Sequence, residues 1–241
     1  MRPPSHARPP GLILTCEHAG NRVPRGFEHA LAGLDDLLES HRGWDPGALE
    51  LARTFQRRLG APLRFATTTR LLGDLNRSWT NRPIRAEVRA RLTPEQVRTL
   101  HGRVWLPYRR SVGRLVRAEL GRAGRVLHLS VHTCTPVLDG EVRRLDVGFL
   151  YDPARARERA FADRWLARLR AVRPDLLLRR NYPYRGASDG LVTALRRELP
   201  ASRYVGIELE VSQKHPLGGG PQWRRLKSVL AETLAGALGP A

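Results

Sequence analysis

The sequence predicts a single-domain α/β fold, and three observations predict it. Short apolar or β-branched runs alternate along the chain with longer helical patterns, the alternation that builds a sheet covered by helices. Gly, Pro or Asp bounds most of the short runs. Polar groups gather at the ends of several of them, where α/β sheets place ligand sites. The length agrees, since 241 residues suffice for one large core without disulfide staples, and two cysteines cannot form a disulfide framework.

Strands are expected at 11–16, 62–68, 125–132, 145–151, 175–180 and 203–211, and helices at 46–59, 94–121, 155–170, 189–199 and 222–237. Residues 1–10 read as a flexible arm, leaving 11–241 as the domain. Two Arg and four Pro precede an apolar stretch of only Leu12-Ile13-Leu14, so this segment does not read as a secretion signal. A cytoplasmic location is the expectation. The helix at 94 has a strong start: Thr93 can cap it, Pro94 suits its first turn, and Gln96 completes a capping box. Pro107 should kink or break that helix. Leu100, Val104, Leu115 and Val116 suit its core-facing stripe.

Composition excludes several classes. With 41% hydrophobic and 27% charged residues the chain is neither disordered nor collagen-like. No apolar run approaches the ~18 residues of a membrane span. The net charge of +19 invites a nucleic-acid reading. However, Lys214 and Lys227 are the only lysines, and no basic tail, aromatic-interleaved basic run or zinc-finger spacing accompanies the arginines. A small anionic substrate is the expected partner, with no membrane and no nucleic acid; the sequence leaves oligomeric state open.

Candidate chemistry follows the strand ends. His18 comes just after the first strand and His132 ends the third, so the two could supply half of a zinc site. Bare spacing is better served by two unrelated, hydrogen-bonded histidines. Asp45, in Trp44-Asp45-Pro46-Gly47, can cap the next helix, aim at the same crevice, or do both. Arg70, Asp74, Asn76 and Arg77 form a loop in which guanidinium groups can grip carboxylates and Asn can orient an oxygen; internal salt bridges would explain it too. Glu208 and Glu210 share one face of a strand, because side chains alternate with period two. A buried carboxylate is costly unless it is paired or active. Cys16 and Cys134 flank the two histidines at the same spacing, so a closed His2Cys2 structural zinc site is the competing arrangement.

The strings CEHAGNRVP (16–24), WDPGA (44–48), TRLLGDLNR (69–77), HLSVHTCTPVLDG (128–140), DVGFLYDP (146–153), NYPYRG (181–186) and GIELEVSQ (206–213) resemble the N-formylglutamate amidohydrolase family. They span nearly the whole chain after residue 10. That family looks related to zinc carboxypeptidases and aspartoacylases. The resemblance implies a three-layer α/β/α domain with a central mixed sheet, of the zinc carboxypeptidase-like (phosphorylase/hydrolase-like) kind. It implies one Zn2+ per chain with His18 and His132 as ligands. In aspartoacylases the carboxylate ligand lies three residues after the first His, where this chain has Asn21. Asp45 is then the third ligand, with Glu17 the second choice. Glu210 would be the catalytic base, with Glu208 the alternative. Arg70, Asn76 and Arg77 would bind substrate carboxylates, Asp74 would hold one of those arginines, and Asn181, Tyr184, Arg185 and Arg143 would complete the pocket.

The implied activity is hydrolysis of an acidic N-acyl amino acid, by default N-formyl-L-glutamate, to formate and glutamate. Two alternatives stand beside it. One is a hydrolase of another N-acyl amino acid or a γ-glutamyl amide; the other is a non-enzymatic anion- or nucleic-acid-binding protein.

Overall fold

The structure, a computed structural model, describes residues 10–81 and 83–239. The expected arm lies outside the described residues except for Pro10. A six-stranded sheet forms the centre, from β1 (Gly11–Cys16), β2 (Leu63–Phe65), β3 (Val126–Cys134), β6 (Val147–Leu150), β7 (Leu178–Arg180) and β8 (Tyr204–Ser212), in the order β2-β1-β3-β8-β6-β7. All pairs are parallel except β8 with β6, so the sheet is mixed. A hairpin of β4 (Val137–Leu138) and β5 (Glu141–Val142) stands apart. The helices are α1 (Asp35–Glu39), α2 (Ala48–Leu59), α3 (Ala86–Arg89), α4 (Pro94–Leu100), α5 (Leu106–Ala123), α6 (Ala156–Val172), α7 (Leu191–Glu198), α8 (Lys214–Gly218) and α9 (Gly220–Leu238). None of them is long and apolar enough to cross a membrane.

Alternation along the strands sorts the layers. Leu127, Leu129 and Val131 of β3 and Ile207, Leu209 and Val211 of β8 join a core with Leu51 and Phe55 of α2, Trp165 of α6 and Leu230 of α9. Trp165 meets Phe55, Phe149 and Phe161 edge-on at 5.1–6.3 Å, a favoured aromatic geometry. A second apolar cluster, with Val112 and Val116 of α5 and Val192 and Leu195 of α7, packs around Ile13 and Tyr204. The intervening positions of β3 and β8 (His128, Ser130, His132, Glu208 and Glu210) are buried and polar. Burial without partners would cost these groups heavily, so the arrangement concentrates chemistry there.

Most expected elements form with shifted ends. The capping box is present: Thr93 Oγ1 accepts from Gln96 N at 3.2 Å, and Gln96 Oε1 accepts from Thr93 N at 3.0 Å. The long helix breaks as Pro107 requires, through a π-helical turn at His101–Trp105 between α4 and α5. Pro cannot donate to the preceding turn, and the wider turn absorbs the fault. Two expectations need correction. β3 pairs with β8 through Thr133 and Cys134, so His132 lies inside a strand, directly beside Glu210. Asp45 does not cap α2: Gly47, at φ 82°, is the residue before it, and the Asp45 carboxylate turns inward.

Candidate active site

The end of β1, the turn before α2 and the middle of β3 bring His18, Asp45 and His132 together. Their donor atoms lie within 4.8 Å of one another, and all three residues are buried. Asp45 Oδ2 is 2.9 Å from His132 Nδ1 and 3.4 Å from His18 Nδ1. The opposite nitrogens have carboxylates of their own: His18 Nε2 is 2.7 Å from Asp74 Oδ1, and His132 Nε2 is 3.1 Å from Glu17 Oε2. Two imidazoles with Nδ1 facing a carboxylate, and each Nε2 held by a second carboxylate, fit the way proteins orient histidine ligands for a divalent metal.

The electrostatics follow from burial. Desolvation pushes Glu17 up, but hydrogen bonds from His132, Ser130 and Thr15 and the charge of His132 outweigh it and hold its carboxyl down at about 2. Ser130 Oγ donates to Glu17 Oε2 at 2.6 Å and Tyr108 Oη donates to Oε1 at 3.0 Å. Burial disfavours the charged form of His132, yet Asp45 and Glu17 raise its pKa well above the ordinary histidine value. Asp74 is desolvated too, but Arg70 and His18 hold it well below the carboxylate range. Glu210 differs: burial raises it to about 7, with Asp45 and Glu208 adding to the rise and His132 opposing it. Its Oε2 is buried and has no hydrogen-bond partner among the described residues.

A cavity of about 360 Å³ opens on these groups. His18, Asp45, His132, Glu208 and Glu210 form its floor, and Arg70, Asn76, Arg77, Tyr184 and Arg185 are in its walls. Asp74 holds Arg70, with Nη2 at 2.5 Å and Nε at 3.1 Å. Asn76 donates to Glu208 Oε2 at 3.0 Å and accepts from Leu191 N at 2.8 Å, tying the loop to β8 and α7. Arg77 donates to the Asp189 carbonyl at 2.7 Å. The loop carrying Tyr184 and Arg185 lies against β6: a Cβ on Gly186 would strike the Tyr151 backbone, and buried Arg196 donates to the Gly186 carbonyl at 2.5 Å.

Several expected residues take other places. Glu17 sits behind His132, on its far nitrogen, rather than with the three clustered donors. Asn21 turns away and donates to Glu39 Oε1 at 3.0 Å. Asn181 is absent from the cavity wall; at φ 48° its Oδ1 accepts from Tyr151 N and Gly186 N and shapes the loop. Arg143 stacks on the Tyr184 ring at 5.0 Å, behind the wall. Neither cysteine joins the histidine cluster: Cys16 packs in the main core, Cys134 lines the cavity wall, and burial raises both thiols. Among the described residues, His18, Asp45 and His132 are the one such cluster.

Wall residues that were not expected include His41, Thr133, Thr135, Ser188 and Asp189. His41 precedes WDPGA and Asp189 follows NYPYRG by a few residues, and that proximity is the signal the sequence carries for them. Tyr108, which anchors Glu17 from α5, carries no local signal.

Fold and site together define the class: a single-domain α/β protein with a mixed sheet and a buried His-Asp-His group at the base of an arginine-walled pocket. The family model of N-formylglutamate amidohydrolase matches residues 11–215, and the chain belongs to that family of hydrolases acting on carbon–nitrogen bonds. Among solved structures, gene product Atu2144 from Agrobacterium tumefaciens is similar, with TM-score 0.79 and 28% identity over 97% of this chain and 92% of that one. The N-formylglutamate amidohydrolase from Ralstonia eutropha JMP134 shares the fold, with TM-score 0.68 and 20% identity over 98% of this chain and 94% of that one. No curated protein sequence matches the chain.

Proposed function

We propose that the protein is a zinc-dependent amidohydrolase. Its substrate is an acidic N-acyl amino acid, by default N-formyl-L-glutamate, which water converts to formate and glutamate. One observation carries the reading furthest. Glu210 Oε2 is, among the described residues, the buried carboxylate oxygen left without a partner, and Glu210 lines the same cavity as His18, Asp45 and His132. Such a group costs about 1–3 kcal/mol, a cost suited to a working base rather than a structural residue.

His18 and His132, through Nδ1, and Asp45 would hold the zinc, which supplies Lewis-acid polarisation and acidifies water. Glu210 takes the proton from the attacking water and delivers it to the leaving amine. Glu208, fixed by Asn76, steadies the floor beside it. Arg70 and Arg77 bind the amino acid's carboxylates, with Arg185 at the outer wall. Asp74 acts through Arg70 and His18 and so couples the anion site to the metal site.

The test is hydrolysis of N-formyl-L-glutamate beside N-formyl-L-leucine by zinc-loaded protein. Turnover of the acidic substrate at least about tenfold more efficient supports the reading. Equal turnover, or turnover of neither, overturns the substrate assignment.

A further inference from the structure

The pocket continues past Arg70 and Arg77. A second cavity of about 540 Å³ adjoins it, and His41, Arg70, Arg77 and Tyr184 line both. The far wall of this vestibule includes Arg42, Arg85 and Leu138. Among the described residues two carboxylates line it, and both are engaged. Asp74 holds Arg70, and Asp139, on the β4–β5 hairpin, meets Arg42 at 3.5 Å with its side chain 76% exposed. Arg85 pairs with exposed Glu87 at 2.9 Å. These outer pairs are weak surface contacts that a ligand anion can displace. Arg77 forms no ion pair among the described residues and donates instead to the Asp189 carbonyl. The vestibule is therefore cationic in excess and continuous with the reaction site.

An amino-acid-sized acid does not need this space. The inner cavity already reaches the lower end of the ~300–1,000 Å³ usual for ligand sites. Direction follows from the shared wall. Arg70 and Arg77 stand between the two cavities, while Glu210 and the His-Asp-His group lie on the inner side. An acyl bond placed inward directs the amino acid's carboxylate end towards the vestibule.

We propose, on the basis of the amidohydrolase reading, that the site takes acidic N-acyl dipeptides, the second acidic residue being held by Arg42 and Arg85. The first residue's α-carboxyl is then an amide that passes Arg70 and Arg77 into the vestibule. Cleavage is unchanged: water adds to the acyl carbon, the acyl C–N bond breaks, and the free dipeptide amine leaves.

The products supply a test that does not depend on turnover. Binding of L-glutamyl-L-glutamate and of L-glutamate to zinc-loaded protein is measured by calorimetry at low and high salt. The dipeptide should bind about tenfold more tightly at low salt, and salt should erode that margin. The double variant Arg42→Ala/Arg85→Ala should lose the margin and bind glutamate as before. Both side chains are surface-exposed, and Arg85→Glu provides a second variant, expected to weaken the dipeptide below wild type. Equal affinities in the wild type, including no measurable binding of either, overturn the proposal. So does a margin that survives both variants. Hydrolysis of N-formyl-L-glutamate reads the parent assignment separately. A protein that turns it over yet binds both products equally refutes the vestibule alone.

Discussion

Glu17 holds the far side of the His132 ring: its Oε2 lies 3.1 Å from Nε2, while Nδ1 of the same ring meets Asp45 Oδ2 at 2.9 Å. The ring is thus fixed in plane by carboxylates at both ends. Its inner nitrogen is presented to the cluster and its outer one is anchored through Ser130 and Tyr108 to the rest of the fold.

Glu17→Gln should therefore weaken zinc binding without removing a ligand. Loss of an outer carboxylate partner typically costs about 10–100-fold in metal affinity. Competition titration against a chromogenic chelator measures it. An unchanged affinity would show that Glu17 does not orient His132.

Glu210→Gln should keep zinc and lose about 10²–10⁴-fold in kcat, the usual contribution of a positioned base. Glu208→Gln should do less, because the Glu208 carboxylate already accepts from Asn76. The reverse ranking would move the base to Glu208.

Glu210 also predicts a pH effect on the metal-free protein. Its pKa in the fold, about 7, lies above the ~4.3 of an unfolded Glu. The folded state thus holds a proton that the unfolded state releases between those values. The stability this contributes is complete below the unfolded pKa and is lost as pH rises through about 7. Glu210→Gln cannot ionise, so relative to wild type it should gain stability from pH 5 to pH 8. Each pKa unit is worth about 1.4 kcal/mol. Urea unfolding of the two apo proteins at both pH values checks the sign; a constant difference would refute it.

Trp105 donates its indole N–H to the Arg77 carbonyl at 3.0 Å, and Arg109 donates to the Leu75 carbonyl at 3.0 Å. The π-helical turn made necessary by Pro107 therefore braces the loop that carries Asn76 and Arg77. Trp105→Phe should raise KM for an acidic substrate several-fold and leave kcat within about twofold, since ground-state positioning is what it loses. A fall in kcat with unchanged KM would place Trp105's influence on the floor instead.

The layers were legible because each core strand carries its pattern locally. Leu127, Leu129 and Val131 alternate with His128, Ser130 and His132, an alternation that separates the apolar face of β3 from its polar one, both of them buried. His18 and the Glu208–Glu210 pair were legible for the same reason: a strand end and period two place them without tertiary knowledge. His132 lies inside its strand, and there the same period places it on the polar face. Asp45 was ambiguous, because a helix start explains an Asp equally well; only the left-handed Gly47 turn frees its carboxylate from capping. Glu17 was the second choice for the third ligand, and it meets His132 on the nitrogen away from the cluster, because a sequence does not say which imidazole nitrogen a neighbour meets. Asn181 and Arg143 were read as wall residues, yet one shapes its loop through Oδ1 and the other supports Tyr184. The short elements α1, α3, α8 and the β4–β5 hairpin were missed. Two to five residues carry too little periodicity to register.

The central claim is that His18, Asp45 and His132 hold one metal ion. The most direct measurement is zinc content by elemental analysis of the purified chain beside its His18→Ala/His132→Ala variant, both incubated with zinc and desalted. The prediction is about one zinc per wild-type chain and none in the variant. No zinc in either protein, or equal zinc in both, would contradict it.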